Sequence, residues 1–287
     1  MTHAKAPASS ANLGPGFDAA AAALDLWNEV TFDQGAFGVE IEGEGADELP
    51  RDATHLALRA FAVFASPERY SFRFVNRIPL ERGLGSSAAT IGLGLVAGAA
   101  AAGRIASADE LLAAGARLEG HADNLAAVLN GGVCVTWQQD GSPRARRIAV
   151  DMPVTPILAI PASRTSTAHS RNGLPSMISH GDAAANAGAA TLLGAAIVAG
   201  DADLLRHAFR DRLHEQYRLA GAPLLRELRA HAPAGAVGVT LSGSGPSVVV
   251  WADRRRETEV AEALEHTVPA GTNVVPLRVA PEGASVS

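Results

Sequence analysis

Gly83-Leu84-Gly85-Ser86-Ser87-Ala88-Ala89 is a glycine and serine turn that runs straight into an apolar, alanine-rich segment ending near Gly103. Two residues without Cβ let the backbone curl tightly. The first free N–H groups of the following helix then point outward together with the positive end of its dipole. Phosphate is the usual guest at such a place, and the hydroxyls of Ser86 and Ser87 can add donors or reach a phosphate-bound cation. The same residues also suit a serine-capped helix after a tight turn, so the segment alone leaves both readings open.

Lys5 is the only lysine and lies far upstream of the loop. A Walker A loop needs a lysine directly after its last glycine, and a protein-kinase β3 lysine is equally hard to place. The segment does match G-x-G-x-x-A, the dinucleotide fingerprint. However, the residues before it, Phe72-Arg73-Phe74-Val75-Asn76-Arg77, alternate like a half-exposed strand, whereas a buried parallel strand is apolar throughout. The acidic residue expected at the end of a second strand is replaced by Asp109, inside the helix start Ser107-Ala108-Asp109-Glu110. A Rossmann fold therefore ranks low.

At 287 residues, 47% hydrophobic and 19% charged, the chain can bury a large core and has the composition of an ordinary globular protein with room for two modest domains. The formal net charge of −6 and the absence of any basic run argue against a nucleic-acid partner. Cys134 is the only cysteine, which excludes an intramolecular disulfide and a thiolate zinc cluster; its place in Gly132-Val133-Cys134-Val135-Thr136-Trp137 suggests a buried strand position. Met1 to Asn12 lacks a signal-peptide core, and the alanine-rich segments are interrupted by glycine before reaching membrane-spanning length, so no membrane partner and a cytoplasmic location are expected.

Strands are expected at 27–32, 39–42 and 71–78, with a helix through Leu56, Ala60, Phe61 and Phe64 between the last two. The glycine loop and its long helix, a helix from Ser107, a short helix at 124–129 and strands at 131–138 and 144–150 complete one α+β unit, residues 1–150. The second, residues 151–287, comprises a strand at 154–161, helices from Pro175 to about His231, a strand pair at 237–241 and 247–251 split by Ser242-Gly243-Ser244-Gly245-Pro246, a helix at 257–266 and a last strand at 272–279.

Three motifs stand in one order: Pro7-Ala8-Ser9-Ser10-Ala11-Asn12-Leu13-Gly14-Pro15-Gly16-Phe17-Asp18, the glycine loop, and Leu241-Ser242-Gly243-Ser244-Gly245-Pro246-Ser247. This arrangement resembles the GHMP small-molecule kinases. The first motif, Ser166-Thr167-Ala168-His169-Ser170-Arg171 and His214-Glu215-Gln216-Tyr217-Arg218 resemble the homoserine-phosphorylating branch. The resemblance implies an α+β fold of two domains, the N-terminal one like domain 2 of ribosomal protein S5 and the C-terminal one ferredoxin-like, with the active site between them. It further implies ATP and Mg²⁺ as cofactors, L-homoserine as substrate and a homodimer.

On that resemblance the nucleotide lies along Pro79, Leu80, Glu81, Arg82, Gly83, Leu84, Gly85, Ser86, Ser87, Ala88 and Ala89, and Glu119 with the Ser87 hydroxyl holds Mg²⁺. Homoserine presents a carboxylate, an ammonium and a primary hydroxyl, so its pocket needs a cationic fork, a carboxylate and a neutral polar group. Arg171 and Arg218 with Thr167 suit the first, Asp18 the second, and the amides of Asn12 and Asn124 the third. Asparagine cannot act as a base at neutral pH, so Asn124 implies catalysis by positioning; Asp123, one residue earlier, is the rival base, although on a helix it is expected to face about 100° away. The segment Asp52-Ala53-Thr54-His55-Leu56 puts Thr54 or His55 where homoserine kinases usually carry an asparagine on the adenine side. Another GHMP kinase acting on mevalonate or a sugar, or a non-catalytic ligand-binding protein on the same fold, remain the competing readings.

Overall fold

Alternation in the Phe72 segment is borne out: in the computed structural model, which describes residues 1–165 and 167–287 except for the side chains of 167–169, Phe72 and Phe74 are buried while Ser71 and Arg73 face solvent. The first sheet is built from β1 (Thr2–Ala11), β2 (Ala20–Gln34), β3 (Gly38–Gly43), β4 (Tyr70–Asn76), β5 (Val133–Gln139) and β6 (Ser142–Ala149). Strand β2 lies at its centre, antiparallel to β1, β4 and β5; β3 runs parallel to β4 after a crossover through α1 (Leu56–Phe61), and β6 extends from β5. The buried side of the sheet carries α2 (Ser86–Ala101), α3 (Ala108–Glu119) and α4 (Asp123–Asn130), and an aromatic cluster of Phe32, Phe61, Tyr70, Phe72 and Phe74 fills one end of the core.

Strand β1 and the first half of β2 have no counterpart in the expected strands. Ala20 to Leu24 and Ala6 to Ala11 are buried on both faces, so no polar alternation marks them, and alanine and serine have little strand preference of their own. Tertiary packing makes them strands.

The second sheet contains β7 (Val154–Ile160), then, after α5 (Thr167–Asn172), α6 (His180–Ala199), α7 (Ala202–Ala208), α8 (Glu215–Arg218) and α9 (Pro223–Ala230), the pair β8 (Ala236–Leu241) and β9 (Val248–Asp253), followed by α10 (Glu257–Thr267) and β10 (Asn273–Pro276). Its antiparallel order, β10-β7-β9-β8, is 4-1-3-2 in its own count, with the strand–helix–strand–strand–helix–strand succession of ferredoxin-like folds. The chain then returns to the first sheet: Val279 bridges Leu24, and β11 (Ser285–Val286) pairs with β1. We propose that the two units divide between Ala149 and Val154, with the tail after Pro276 belonging to the first, not to a second unit running through residue 287.

Helix α6 departs from expectation, because glycines at 181, 188 and 194 do not interrupt it. One glycine costs a helix roughly 1 kcal/mol, which a run of alanines outweighs. The helix is 20 residues long, with a mean hydropathy of 1.3 over its most apolar window, so it satisfies the length and composition of a membrane span; only 28% of that window is buried. It is docked on the body through Leu193 and through Asn186, whose amide donates to Pro15 O (2.9 Å) and accepts from Arg212 N (3.0 Å).

Candidate active site

The turn before α2 does curl as its glycines require. Gly83 and Gly85 have φ of 76° and 64°, a left-handed conformation that disfavours any side chain. A Cβ on Gly85 would collide with Ser9 Oγ and stand 3.0 Å from Asn124 Oδ1, so this glycine also allows the loop to touch the first motif. Ser9 N donates to Leu84 O (3.0 Å) and Ser9 Oγ to Asn124 Oδ1 (2.8 Å). The third motif closes the other side: Ser242 Oγ donates to Gly83 O (2.7 Å) and lies 2.9 Å from Ser10 Oγ, Gly243 N donates to Ala11 O (3.2 Å), and Ser247 N to Arg82 O (3.3 Å). Three motifs more than 60 residues apart in sequence thus form one hydrogen-bonded collar.

The collar opens on a cavity of about 230 Å³ lined by Asn12, Phe17, Asp18, Pro79, Glu81–Ser87, Glu119, His121, Asp123, Asn124, Arg171 and Arg218. That volume is below the roughly 300–1,000 Å³ typical of drug-sized ligands, so it suits a small substrate and a phosphate tail, not a whole nucleotide. Helix α2 points its N-terminus into it, and the buried Ser86 Oγ has no hydrogen-bond partner among the described residues. Of the expected nucleotide residues, Ala88 and Ala89 are fully buried in the core and Leu80 does not line the cavity. Ala89 N already donates to Gly85 O (2.8 Å), so its N–H is not free for a phosphate.

Ser87 Oγ and Glu119 Oε2 are 2.6 Å apart, so the turn and the end of α3 bring together the two oxygens expected to hold a cation. Burial raises the Glu119 pKa, and the Ser87 hydrogen bond opposes the rise. Both are hard oxygen donors beside a helix N-terminus that favours anions, a set that fits Mg²⁺ shared with phosphates.

The substrate candidates are paired with one another. Asp18 Oδ1 accepts from Arg171 Nη2 (2.5 Å), and Arg171 and Arg218 both lie over the Phe17 ring, 5.5 and 5.6 Å from its centroid. Burial and the neighbouring Arg171 charge lower the Arg218 pKa, and the buried Nε atoms of both arginines lack partners among the described residues. Two cations held side by side with unpartnered donors suit an anion. The Asn12 amide is committed to the backbone, donating to Gly243 O (2.9 Å) and accepting from Asp18 N (3.1 Å), so it shapes the loop. Asn124 keeps its Nδ2 free of partners among the described residues. The side chain of Thr167 lies outside the described residues.

Asp123 contradicts the helical-wheel expectation. It is the first residue of α4, its Oδ1 accepts from Asn124 N (2.8 Å), and it is 96% buried while lining the same cavity as Asn124. The 100° rule holds for a helix interior, whereas this carboxylate folds back over its own helix start. Burial raises its pKa, opposed by that backbone hydrogen bond. Phe17 and Ser9 were also silent as site residues: nothing but their place inside the first motif marks them. His55, expected near the adenine, is buried beneath α1, where Nδ1 accepts from Ala57 N (3.2 Å) and the ring stacks on Phe74, so it is a helix cap.

The chain matches the family models described as GHMP kinases N terminal domain, over residues 52–132, and GHMP kinases C terminal, over residues 185–270. It is 40% identical over 273 residues to the homoserine kinase of Streptomyces coelicolor, covering 92% of this chain and 88% of that one. It is 35% identical to that of Desulfitobacterium hafniense over the full length of both. The crystal structure of homoserine kinase from Cytophaga hutchinsonii superposes with a TM-score of 0.86 at 25% identity, covering 100% of this chain and 97% of that one. A collar of three motifs around a phosphate-sized helix N-terminus, full-length likeness in sequence and the same two-unit architecture lead to one conclusion: this chain belongs to the GHMP kinases, within the homoserine kinase group.

Proposed function

We propose that this protein transfers the γ-phosphoryl group of ATP to the side-chain hydroxyl of L-homoserine, giving O-phospho-L-homoserine for threonine biosynthesis. The observation that carries the proposal is the pair of partly unsatisfied arginines, Arg171 and Arg218, lining the same cavity as the start of α2, Asp18 and Asp123. A cationic fork and carboxylates together complement an amino acid, whereas mevalonate or a sugar offers no ammonium for them.

In this reading Arg218 and Arg171 take the substrate carboxylate, and Asp18 with Asp123 takes the ammonium. Asn124 Nδ2 holds the hydroxyl in line with the phosphoryl group, its amide fixed by Ser9. Backbone N–H groups of Gly85, Ser86 and Ser87, with the Ser86 hydroxyl, cradle the phosphates. Glu119 and Ser87 would hold Mg²⁺, which when bound neutralises phosphate charge. Phosphoryl transfer passes through a loose transition state in which positioning and charge stabilisation dominate, so the hydroxyl proton can leave to the transferred group without a side-chain base.

We further propose a homodimer in the cytoplasm; the apolar α6 face, with Leu192 and Val198 exposed, supports the former, and sedimentation tests it. Phosphorus NMR of the product formed from ATP, Mg²⁺ and L-homoserine tests the reaction. A new phosphate monoester on the homoserine side chain is expected; ADP with inorganic phosphate alone would refute the transfer.

A further inference from the structure

We infer that His214 is the positioning residue of the substrate-binding arginine, holding Arg218 through a single neutral tautomer that Gly14 O enforces. The inference rests on the proposed role of Arg218. His214 is fully buried, and each ring nitrogen has one partner of fixed polarity. Nε2 lies 2.9 Å from Gly14 O, a carbonyl that can only accept, so Nε2 carries the proton. Nδ1 lies 2.8 Å from Arg218 Nη1, a guanidinium nitrogen that can only donate, so Nδ1 must be the bare acceptor. A proton on Nδ1 would set two donors against each other in a site without water access.

The neighbours hold the ring in place and in charge state. Phe17, the ring beneath both arginines, stacks on His214 with centroids 4.9 Å apart. Asp211 caps the turn, accepting from His214 N (3.0 Å) and Glu215 N, and its Oδ1 stands 3.6 Å from Nε2, farther than Gly14 O. Glu215 is engaged elsewhere, accepting from Leu241 N and pairing with Arg229. Burial pushes the His214 pKa below the ordinary histidine range, with Glu215 and Asp211 opposing and Arg218 assisting, so the ring stays neutral at physiological pH. Arg218 Nη1 is thereby committed to His214 and Gly243 O (3.3 Å), while the buried Nε has no partner among the described residues. The first motif, through Gly14 and Phe17, thus sets the geometry of an arginine in the second unit, by way of a histidine 200 residues from Gly14.

His214→Phe keeps an aromatic ring against Phe17 and removes both hydrogen bonds. A homoserine KM raised on the order of tenfold, as for loss of a hydrogen bond to a charged group, with the ATP KM within about twofold, is expected. In an Arg218→Ala background the same substitution should add nothing further, because its effect travels through Arg218. Equal rises in both KM values, or the full additional rise in the Arg218→Ala background, would overturn the inference as a general packing effect. Independently of any substrate, nitrogen-15 NMR of the wild-type His214 ring near pH 7 should show the neutral Nε2–H tautomer. An imidazolium or an Nδ1–H tautomer would overturn it. If Arg218→Ala leaves the homoserine KM unchanged, the substrate assignment fails, and the tautomer measurement still decides the contact.

Discussion

On the proposed function, Arg218 is the residue on which substrate choice turns. It is nearly buried, carries its charge beside a second arginine, and spends only part of its donor set on the protein. Removing it should cost about 1.5–3 kcal/mol of substrate binding, the range for a charge-assisted hydrogen bond. Arg218→Ala is expected to raise the homoserine KM at least tenfold and leave the ATP KM nearly unchanged, as steady-state kinetics with each substrate varied will show. Asp123 is the second decisive residue, because its place in the cavity makes it the one carboxylate beside Asn124 that could compete as a base. On the positioning mechanism Asp123→Asn raises the homoserine KM but lowers saturated kcat less than about tenfold, whereas loss of a true base costs about 100- to 10,000-fold. A loss in that range, with disappearance of the acid limb of the pH profile, would make Asp123 the base.

Two elements carry the local tests. The turn before α2 is set by Gly85, so Gly85→Ala introduces both left-handed strain, roughly 1–3 kcal/mol, and a collision with Ser9 Oγ. A lowered melting temperature and weakened binding of an ATP analogue are expected by calorimetry; unchanged affinity in a folded variant would detach the turn from the phosphates. Helix α1 is capped by His55, whose pKa burial pushes down to about 4. The fold therefore holds this ring neutral, and its contribution is full above pH 6.5 and lost as pH falls from 6.5 toward 4, where the unfolded chain takes a proton the fold resists. The fall from the ordinary 6.5 to about 4 corresponds to a stability loss on the order of 3 kcal/mol across that window. His55→Asn, which keeps a cap without a titrating ring, should flatten the acid slope of stability measured by urea unfolding.

The same elements show what could be read before the fold was known. Alternation in β4, the serine cap of α3 at Ser107 and the hairpin around Ser242 to Pro246 are signals of local chemistry, and each holds. Strand β1 is invisible because its alanines and serines are buried on both faces; α6 falls inside the helical stretch expected from Pro175, and only its unbroken length is hidden, because glycine is a weak break in an alanine helix. Within the site, Asn12, Glu119, Asn124, Arg171 and Arg218 converge as their motifs imply, yet Asp123 and the His214 contact follow from side-chain direction at a helix end and from hydrogen-bond polarity, which spacing does not encode. Cys134 is buried as expected, and burial pushes its thiol up to about 12, so it is an inert packing group.

At the scale of the whole molecule, the second unit brings Arg171, Arg218 and the Ser242 to Ser247 segment to the turn before α2, the proposed phosphate site, and residues 161–165 are strapped to the loop. Thr165 N donates to Glu81 O (3.0 Å), Arg82 Nε to Pro161 O (2.9 Å), and Arg164 forks onto Glu48. These contacts fix the loop against the second unit, and on the proposed function the span from arginine fork to helix N-terminus selects how far the acceptor hydroxyl stands from the carboxylate. L-Threonine carries its hydroxyl one carbon nearer, so it should fill the fork and leave the oxygen short of the phosphates. The most direct measurement is ADP release at saturating ATP and Mg²⁺ with L-homoserine, L-threonine, mevalonate and galactose in turn. The account predicts turnover with L-homoserine, a kcat/KM for L-threonine lower by at least roughly tenfold, and nothing above background with the other two. Turnover of mevalonate or galactose matching or exceeding that of L-homoserine would contradict it.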